Sequence, residues 1–362
     1  MKTTILTAIM ALITLFSYGQ NNVVTLYDAI PTYNAVIYNS DVYIPVGKER
    51  YNIEEYQAFN IGEPYAKGKY KFPFLEKGKP LFDGKEFAYI HSSGKLSKYN
   101  LKTGEYVWES AYKNSEWAAQ TPPKDLSEKY IGVGVSDRVA VFNKETGELL
   151  IQVSGKGISE GFSLSGDEIL IVSNYNGKNI AYDIKTGKEL WSKKVGYTGG
   201  FGSTTEGDKI YLPSFEPYLF CLDKITGREI WKIDMKNLSN GCGSGFSTPP
   251  YIVGDYLYTI HRDKGIFKFD KNTGKEILNI NEFGEVVGDL VPYKNYFLFI
   301  DVSTLYVFSP DKDEIIQSVE LPINVRANLE VVGDFGIITN YNFDEEPYQK
   351  GVMTINLTSL IK

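Results

Sequence analysis

The two histidines, His91 and His261, are the only histidines among 362 residues, and thus the only side chains with an ordinary pKa near neutrality. They could carry protons or bind a metal. The densest reactive stretch is His261-Arg262-Asp263, with Tyr258 just before it and Tyr341 further along. Elimination at a uronate needs a His or Tyr base and an Arg to neutralise the carboxylate, so His261, Arg262 and Tyr341 are the catalytic candidates. The same residues also suit a solvated turn, in which Arg262 and Asp263 form a surface pair of little energy.

The other candidates are less specific. Cys221 and Cys242 are the only cysteines, and an oxidising compartment would allow them to pair. Asn240-Gly241-Cys242-Gly243-Ser244-Gly245 is glycine-rich, but lacks the Lys-Ser/Thr that a phosphate loop places after it. Asp311-Lys312-Asp313-Glu314 and Asp344-Glu345-Glu346 lack the spaced oxygen ligands and glycine of a calcium loop, so no metal site is expected.

Positioning these residues falls to a repeat. Tyr99-Asn100-Leu101-Lys102-Thr103-Gly104 recurs as Phe142-Asn143-Lys144-Glu145-Thr146-Gly147 and as Tyr182-Asp183-Ile184-Lys185-Thr186-Gly187. Leu222-Asp223-Lys224-Ile225-Thr226-Gly227 and Phe269-Asp270-Lys271-Asn272-Thr273-Gly274 continue it. An Asx side chain bonds the turn backbone and a glycine takes the positive φ, so each phrase predicts a hairpin, with Gly104, Gly147, Gly187, Gly227 and Gly274 as its structural residues.

The glycines lie 43, 40, 40 and 47 residues apart, room for four short strands per unit, which is one propeller blade. Degenerate copies at Phe59-Asn60-Ile61-Gly62, Phe308-Ser309-Pro310-Asp311-Lys312-Asp313 and Ile355-Asn356-Leu357-Thr358-Ser359 bring the turns to eight. The expected fold is an all-β propeller of eight four-stranded antiparallel blades, seven being the count if one weak copy is false. The last copy leaves no room for an outer strand, so Val23, Val24 and Leu26 are expected to close the final blade. Aromatic content of 14%, with 27 tyrosines, suits such strands.

Residues 1–19 read as an export signal: Lys2, an apolar run from Ile5 to Phe16, then Ser17 and Gly19 before a cut near Gln20. The run is too short for a bilayer span of roughly 20 residues, and no cysteine follows the cut to take a lipid. Residues 20–362 are then a single propeller domain, periplasmic or secreted, without lipid anchor or transmembrane helix. The mature chain carries 37 basic and 45 acidic residues, a net of −8, which disfavours a nucleic-acid surface.

With strands A to D in each blade, the Thr-Gly hairpins are C-to-D turns at one end. The B-to-C turns and D-to-A connections lie at the other. His91, Tyr175, Asn176, Phe215, Glu216, His261, Arg262, Asp263 and Tyr341 fall in B-to-C turns, and Trp117 in a D-to-A connection. That end is the expected partner surface, Trp117 serving as an aromatic anchor. His91 and His261 fall on the second and sixth blades, too far apart to share a metal.

Thr-Gly-Lys-x-x-Trp, preceded by alternating apolar residues, together with Ser247-Thr248-Pro249-Pro250-Tyr251-Ile252-Val253-Gly254-Asp255, resembles the propeller repeat of the pyrroloquinoline-quinone (PQQ) type. Trp108, Trp191 and Trp231 occupy its tryptophan slot, and the likeness covers nearly the whole mature chain. The resemblance implies a propeller but several roles, including quinone-dependent dehydrogenases and the scaffold propeller of the outer-membrane protein assembly machine. The dehydrogenases have adjacent cysteines beneath the quinone and large insertions between blades. This chain has neither, so no cofactor is expected. The leading expectation is a non-catalytic exported scaffold binding a protein or glycan. The alternatives are a polysaccharide lyase or hydrolase around His261 and Arg262, and thirdly a quinone-dependent dehydrogenase.

Overall fold

In a computed structural model of the chain, which describes residues 23–48, 53–74, 79–83, 85–92, 94–113, 123–135, 137–155, 161–174, 176–196, 202–214, 216–239, 245–246, 248–341 and 347–361, the Asx residue of each Thr-Gly phrase turns the backbone. Asn100 Oδ1 accepts from the N–H groups of Lys102 (2.8 Å) and Thr103 (2.9 Å). Asp183 Oδ1 accepts from both the N–H and the hydroxyl of Thr186, each at 2.7 Å. The five turn glycines stand at φ between +67° and +76°, where a Cβ would strain the backbone. Hydrogen bonds from the threonine hydroxyls, then from backbone N–H groups, hold Asp183, Asp223 and Asp270 below the usual carboxylate range.

These hairpins join the third and fourth strands of antiparallel sheets. There are eight such sheets of four strands each, so the fold is an eight-bladed β-propeller, as the spacing predicts. In blades two to seven the third and fourth strands share a register shift just past the turn, as at Ala181/Tyr182 and Cys221/Leu222. One extra residue in each outer strand adds twist and breaks the flat edge that another chain could extend.

The chain forms two compact units. Met1–Lys71 with Val291–Lys362 hold three blades, and Phe72–Leu290 hold five. Successive side chains of a strand point to opposite faces, so within a unit adjacent blades bury their facing side chains against one another. Val139, Val141, Ile151 and Val153 of the third blade thus meet Phe162, Leu164, Leu170 and Val172 of the fourth.

Between blades of the five-blade unit the tryptophans act as latches. Trp108 Nε1 donates to Lys144 O (3.1 Å), Trp191 Nε1 to Lys224 O (3.0 Å) and Trp231 Nε1 to Lys271 O (3.2 Å). Each acceptor belongs to the Thr-Gly turn of the following blade, and the ring lies against that turn's glycine. A Cβ on Gly147, Gly227 or Gly274 would stand 2.7–2.9 Å from indole carbons, whereas one on Gly187 would meet nothing within 4 Å. The difference follows from the preceding blade, which offers Ile151 to Gly187 instead of a tryptophan.

In the three-blade unit, Val24–Leu26 is the outer strand of the last blade, pairing Val24 with Ile355 and Leu26 with Met353. Asn356 N–H extends the ladder to Val23 O at 2.7 Å. Tyr27 then fastens the last blade to the first: its hydroxyl bonds Thr354 Oγ1 (2.8 Å) and accepts from Gly62 N–H (3.1 Å), while its ring stands edge-on to Phe59. With the outer strand supplied from the N-terminal side, the eighth phrase forms no hairpin. Asn356 instead caps a single helical turn, Leu357–Leu360, accepting from Ser359 N–H at 3.1 Å. The expected export signal lies outside the described residues. Among those residues no helix is long and apolar enough to cross a membrane.

Candidate functional site

The end of the five-blade unit opposite its Thr-Gly turns is built from B-to-C hairpins and D-to-A connections. His91 lies inside the strand Phe87–Ser92, one residue short of its end instead of in the turn expected, and is buried, its Nε2 2.5 Å from the hydroxyl of Tyr112. Tyr112 follows the outer strand of the same blade and sets its ring edge-on to Phe142 of the next. Burial pushes its phenol up to about 12, so at neutral pH the hydroxyl keeps its proton. His91 thus ties the second strand of its blade to the segment that follows the fourth.

His261 ends the strand Tyr256–His261 and is equally buried, with Phe246 edge-on to its ring. Its Nδ1 lies 3.1 Å from the N–H of Asp263, an arrangement that requires this nitrogen to be an unprotonated acceptor. Arg262 is half exposed and forms an ion pair with Glu285, while its carbonyl accepts from Val286 N–H at 2.9 Å. Arg262 therefore latches the connection 281–290 onto the sixth blade's hairpin. Its guanidinium already has a carboxylate. Asp263 is exposed beside it.

Asp289 closes that connection. Burial raises its carboxyl to about 6, and its charge, after burial itself, helps push the neighbouring Tyr251 phenol up to about 12. The folded pKa exceeds the unfolded one, so the folded state holds the proton longer, and stability falls as pH rises from about 4 to about 6. Asp289→Asn should remove this slope. In thermal melts the variant should gain on the parent as pH rises through that window, and a constant difference across it would contradict the assignment.

Asn176 and Glu216 are exposed tips of the fourth and fifth blades' hairpins. Asn176 N–H donates to Asn174 Oδ1 (3.1 Å), and Glu216 N–H to Ser214 Oγ (3.2 Å). Asn179 Nδ2 bonds Gly196 O at 2.9 Å, and a Cβ on Gly196 would lie 3.1 Å from Glu216 Cδ, so these two hairpins meet at one glycine seam. Tyr341 belongs to the three-blade unit, where its ring packs on Tyr33 with centroids 5.5 Å apart. Trp117, Tyr175, Phe215 and Cys242 lie outside the described residues.

Cys221 is a free thiol buried between the fifth and sixth blades, and burial pushes it up to about 11. It sits opposite Trp231 in the slot that Ala181 and Val141 fill elsewhere. An apolar thiol in a blade seam does not fit the paired cysteines that a quinone of the dehydrogenase type lies over. Among the described residues no group of three or more His, Cys, Asp or Glu side chains could hold a metal ion.

The tie from Arg262 to Glu285 escaped the sequence reasoning, because no short-range pattern links the sixth blade's hairpin to the connection 281–290.

A family model described as Outer membrane protein assembly factor BamB matches residues 135–216 and 216–320, from the third blade through the seventh. The chain belongs to this family. Among curated BamB proteins, that of Kangiella koreensis is 23% identical over 190 residues, 52% of this chain and 39% of that protein. That of Shewanella oneidensis is 24% identical over 204 residues, 51% of this chain and 48% of the relative. The aligned stretch thus spans less than half of either relative. The crystal structure of BamB from Moraxella catarrhalis superposes over 92% of this chain and 97% of its own, with a TM-score of 0.61 and 15% identity, which shows the fold alone.

Proposed function

We propose that this chain is a non-catalytic, protein-binding scaffold in the assembly of outer-membrane proteins, acting beyond the cytoplasmic membrane. Membership of the BamB family carries the reading, because the matched region covers the blades whose hairpin ends present the exposed polar residues. A propeller of latched blades suits the role: it offers fixed loop ends without needing to move. The partner is a protein, and the reading takes no cofactor and no nucleic acid. Neither buried histidine presents itself as a base, and Arg262 is already engaged by Glu285, so no residue set favours the lyase reading.

Affinity capture with the tagged protein from membranes of its source bacterium, after mild crosslinking, tests this. Components of the outer-membrane assembly machinery should be recovered, and loss of the chain should lower the amount of β-barrel proteins in the outer membrane. Turnover of an anionic polysaccharide by the pure protein, abolished by His261→Ala, would establish the enzyme instead.

A further inference from the structure

In blades four to seven the residue that ends or follows the second strand turns the B-to-C hairpin by accepting from the backbone N–H two positions on. Asn174 Oδ1 accepts from Asn176 N–H at 3.1 Å, Ser214 Oγ from Glu216 N–H at 3.2 Å and Asp301 Oδ1 from Ser303 N–H at 2.9 Å. In the sixth blade the acceptor is His261 Nδ1, 3.1 Å from Asp263 N–H. Of the four acceptor types, carboxamide, hydroxyl, carboxylate and imidazole, only imidazole has an ordinary pKa near neutrality.

The sixth turn is also the seat of the connection 281–290. Lys264 N–H closes the turn on His261 O at 3.3 Å, and Asn279 Nδ2 donates to Lys264 O at 2.8 Å. Arg262 holds Glu285 by its guanidinium and Val286 N–H by its carbonyl. Gly265, at φ +79°, lies so close to the chain beyond the fourth strand that a Cβ there would run into Ile280 O and the Phe283 ring. Residues 279–286 are thus fastened to residues 262–265, and the shape of the turn places the connection.

A proton on Nδ1 and the bond from Asp263 exclude one another, because the nitrogen has a single lone pair in the ring plane. Nor does the closed turn suit a charged ring: His261 is buried edge-on to Phe246, which packs in turn on Phe267. Its own turn carries Arg262, Asp263 and Lys264, and the connection carries Glu282, Glu285 and Asp289. Tyr251 stands on the first strand of the blade, and Lys268 of the third lies over Tyr256 and Tyr258. From the fifth blade come Glu216, whose carbonyl Gly245 approaches beside Phe246, and Asp234 and Lys236, which flank Met235 of the same seam. Acids outnumber cations here, so an imidazolium released from the turn has carboxylates to face.

We infer that His261 makes the B-to-C end of the sixth blade acid-labile: a proton taken from solvent onto Nδ1 releases Asp263 N–H, opens the turn and unseats the connection 281–290 with its Arg262–Glu285 tie. Loss of the proton at neutral pH restores the bond. The device goes beyond the scaffold reading and does not need it, since it follows from the turn and what the turn carries.

Amide exchange on the full chain tests this, with Asp289→Asn as the background so that the raised carboxyl of Asp289 does not titrate in the same window. An open turn whose imidazole titrates at about 6.5 gains about tenfold in population between about pH 7.5 and about pH 5.5. Protection of the Asp263 and Val286 N–H groups, corrected for intrinsic exchange, should therefore fall about tenfold, in step with the ring nitrogen shifts of His261. His261→Asn copies the acceptor used at Asn174 without a titrating nitrogen, and should hold that protection level. The Asn174 turn should stay level in both proteins. Unchanged protection at Asp263 and Val286, an equal fall in His261→Asn, or an equal fall at the Asn174 turn would each overturn the inference. Should His261→Asn not fold, the ring nitrogens of the background protein decide: protection lost without protonation of His261 removes the device.

Discussion

Trp191→Ala is expected to destabilise the protein by about 3–5 kcal/mol, the range for removing a buried large aromatic side chain. The ring is 6% exposed, belongs to a cluster with Ile169, Ile210 and Leu222, and donates its N–H to Lys224 O of the following blade. Removing it empties a seam between two blades and leaves a turn carbonyl without its donor. Trp191→Phe separates the two losses, since most of the ring stays while the hydrogen bond goes, and should cost about 1 kcal/mol beyond the volume change. Denaturant or thermal melts of both variants measure the split. Equal effects would place the energy in the hydrogen bond instead of the packing.

The second large effect is at the glycine beneath that ring. Gly227 stands at φ +67° with a prospective Cβ 2.7 Å from Trp191 Cγ, and Gly187 at φ +68° with open space around it. Gly187→Ala should therefore cost only the left-handed backbone penalty, about 1–2 kcal/mol. Gly227→Ala should add about 1–3 kcal/mol for displacing the indole. The substitutions at positions 191 and 227 must then be non-additive. In a Trp191→Ala background, where only the Cβ at 3.0 Å remains of that contact, Gly227→Ala should shrink toward the cost of Gly187→Ala, and a double-mutant cycle on melting free energies would detect the coupling. Full additivity would mean that ring and turn do not constrain one another.

These latches bear on function because a scaffold must keep its hairpin ends in place. On the proposed scaffold reading, the turns that would meet a partner take their positions from blade-to-blade packing, and the tryptophans fix that packing from the opposite end. A variant lacking a latch should lose stability before it loses any particular contact. Binding measurements on such variants therefore need a folding readout beside them.

The eight-blade architecture was legible because its signals are local. An Asx residue, a threonine and a glycine within five positions dictate a hairpin wherever they occur, and the glycine spacing of 40–47 residues then dictates the blade. The N-terminal closure followed from counting strands. The eighth phrase was legible as a repeat but not as a helical cap, because Asn356 can close a hairpin or cap a turn and the strand partner decides which. The candidate site was much less legible. His91 and His261 look reactive in a sequence, but each lies in the last two residues of a strand whose neighbours bury it, and Arg262 meets Glu285 only through the fold of the connection 281–290.

The histidine pair shows where the boundary lies. The sequence by itself determined that His91 and His261 belong to different blades, since the repeat assigns every residue a place in a hairpin through short-range turn chemistry. Only the tertiary structure decided that both are interior, that Cys221 lies in a blade seam, and that Arg262 is engaged by Glu285. Burial and charge compensation are set by side chains more than a dozen residues away along the chain, which the packing of strands and connections brings together and which no local pattern records.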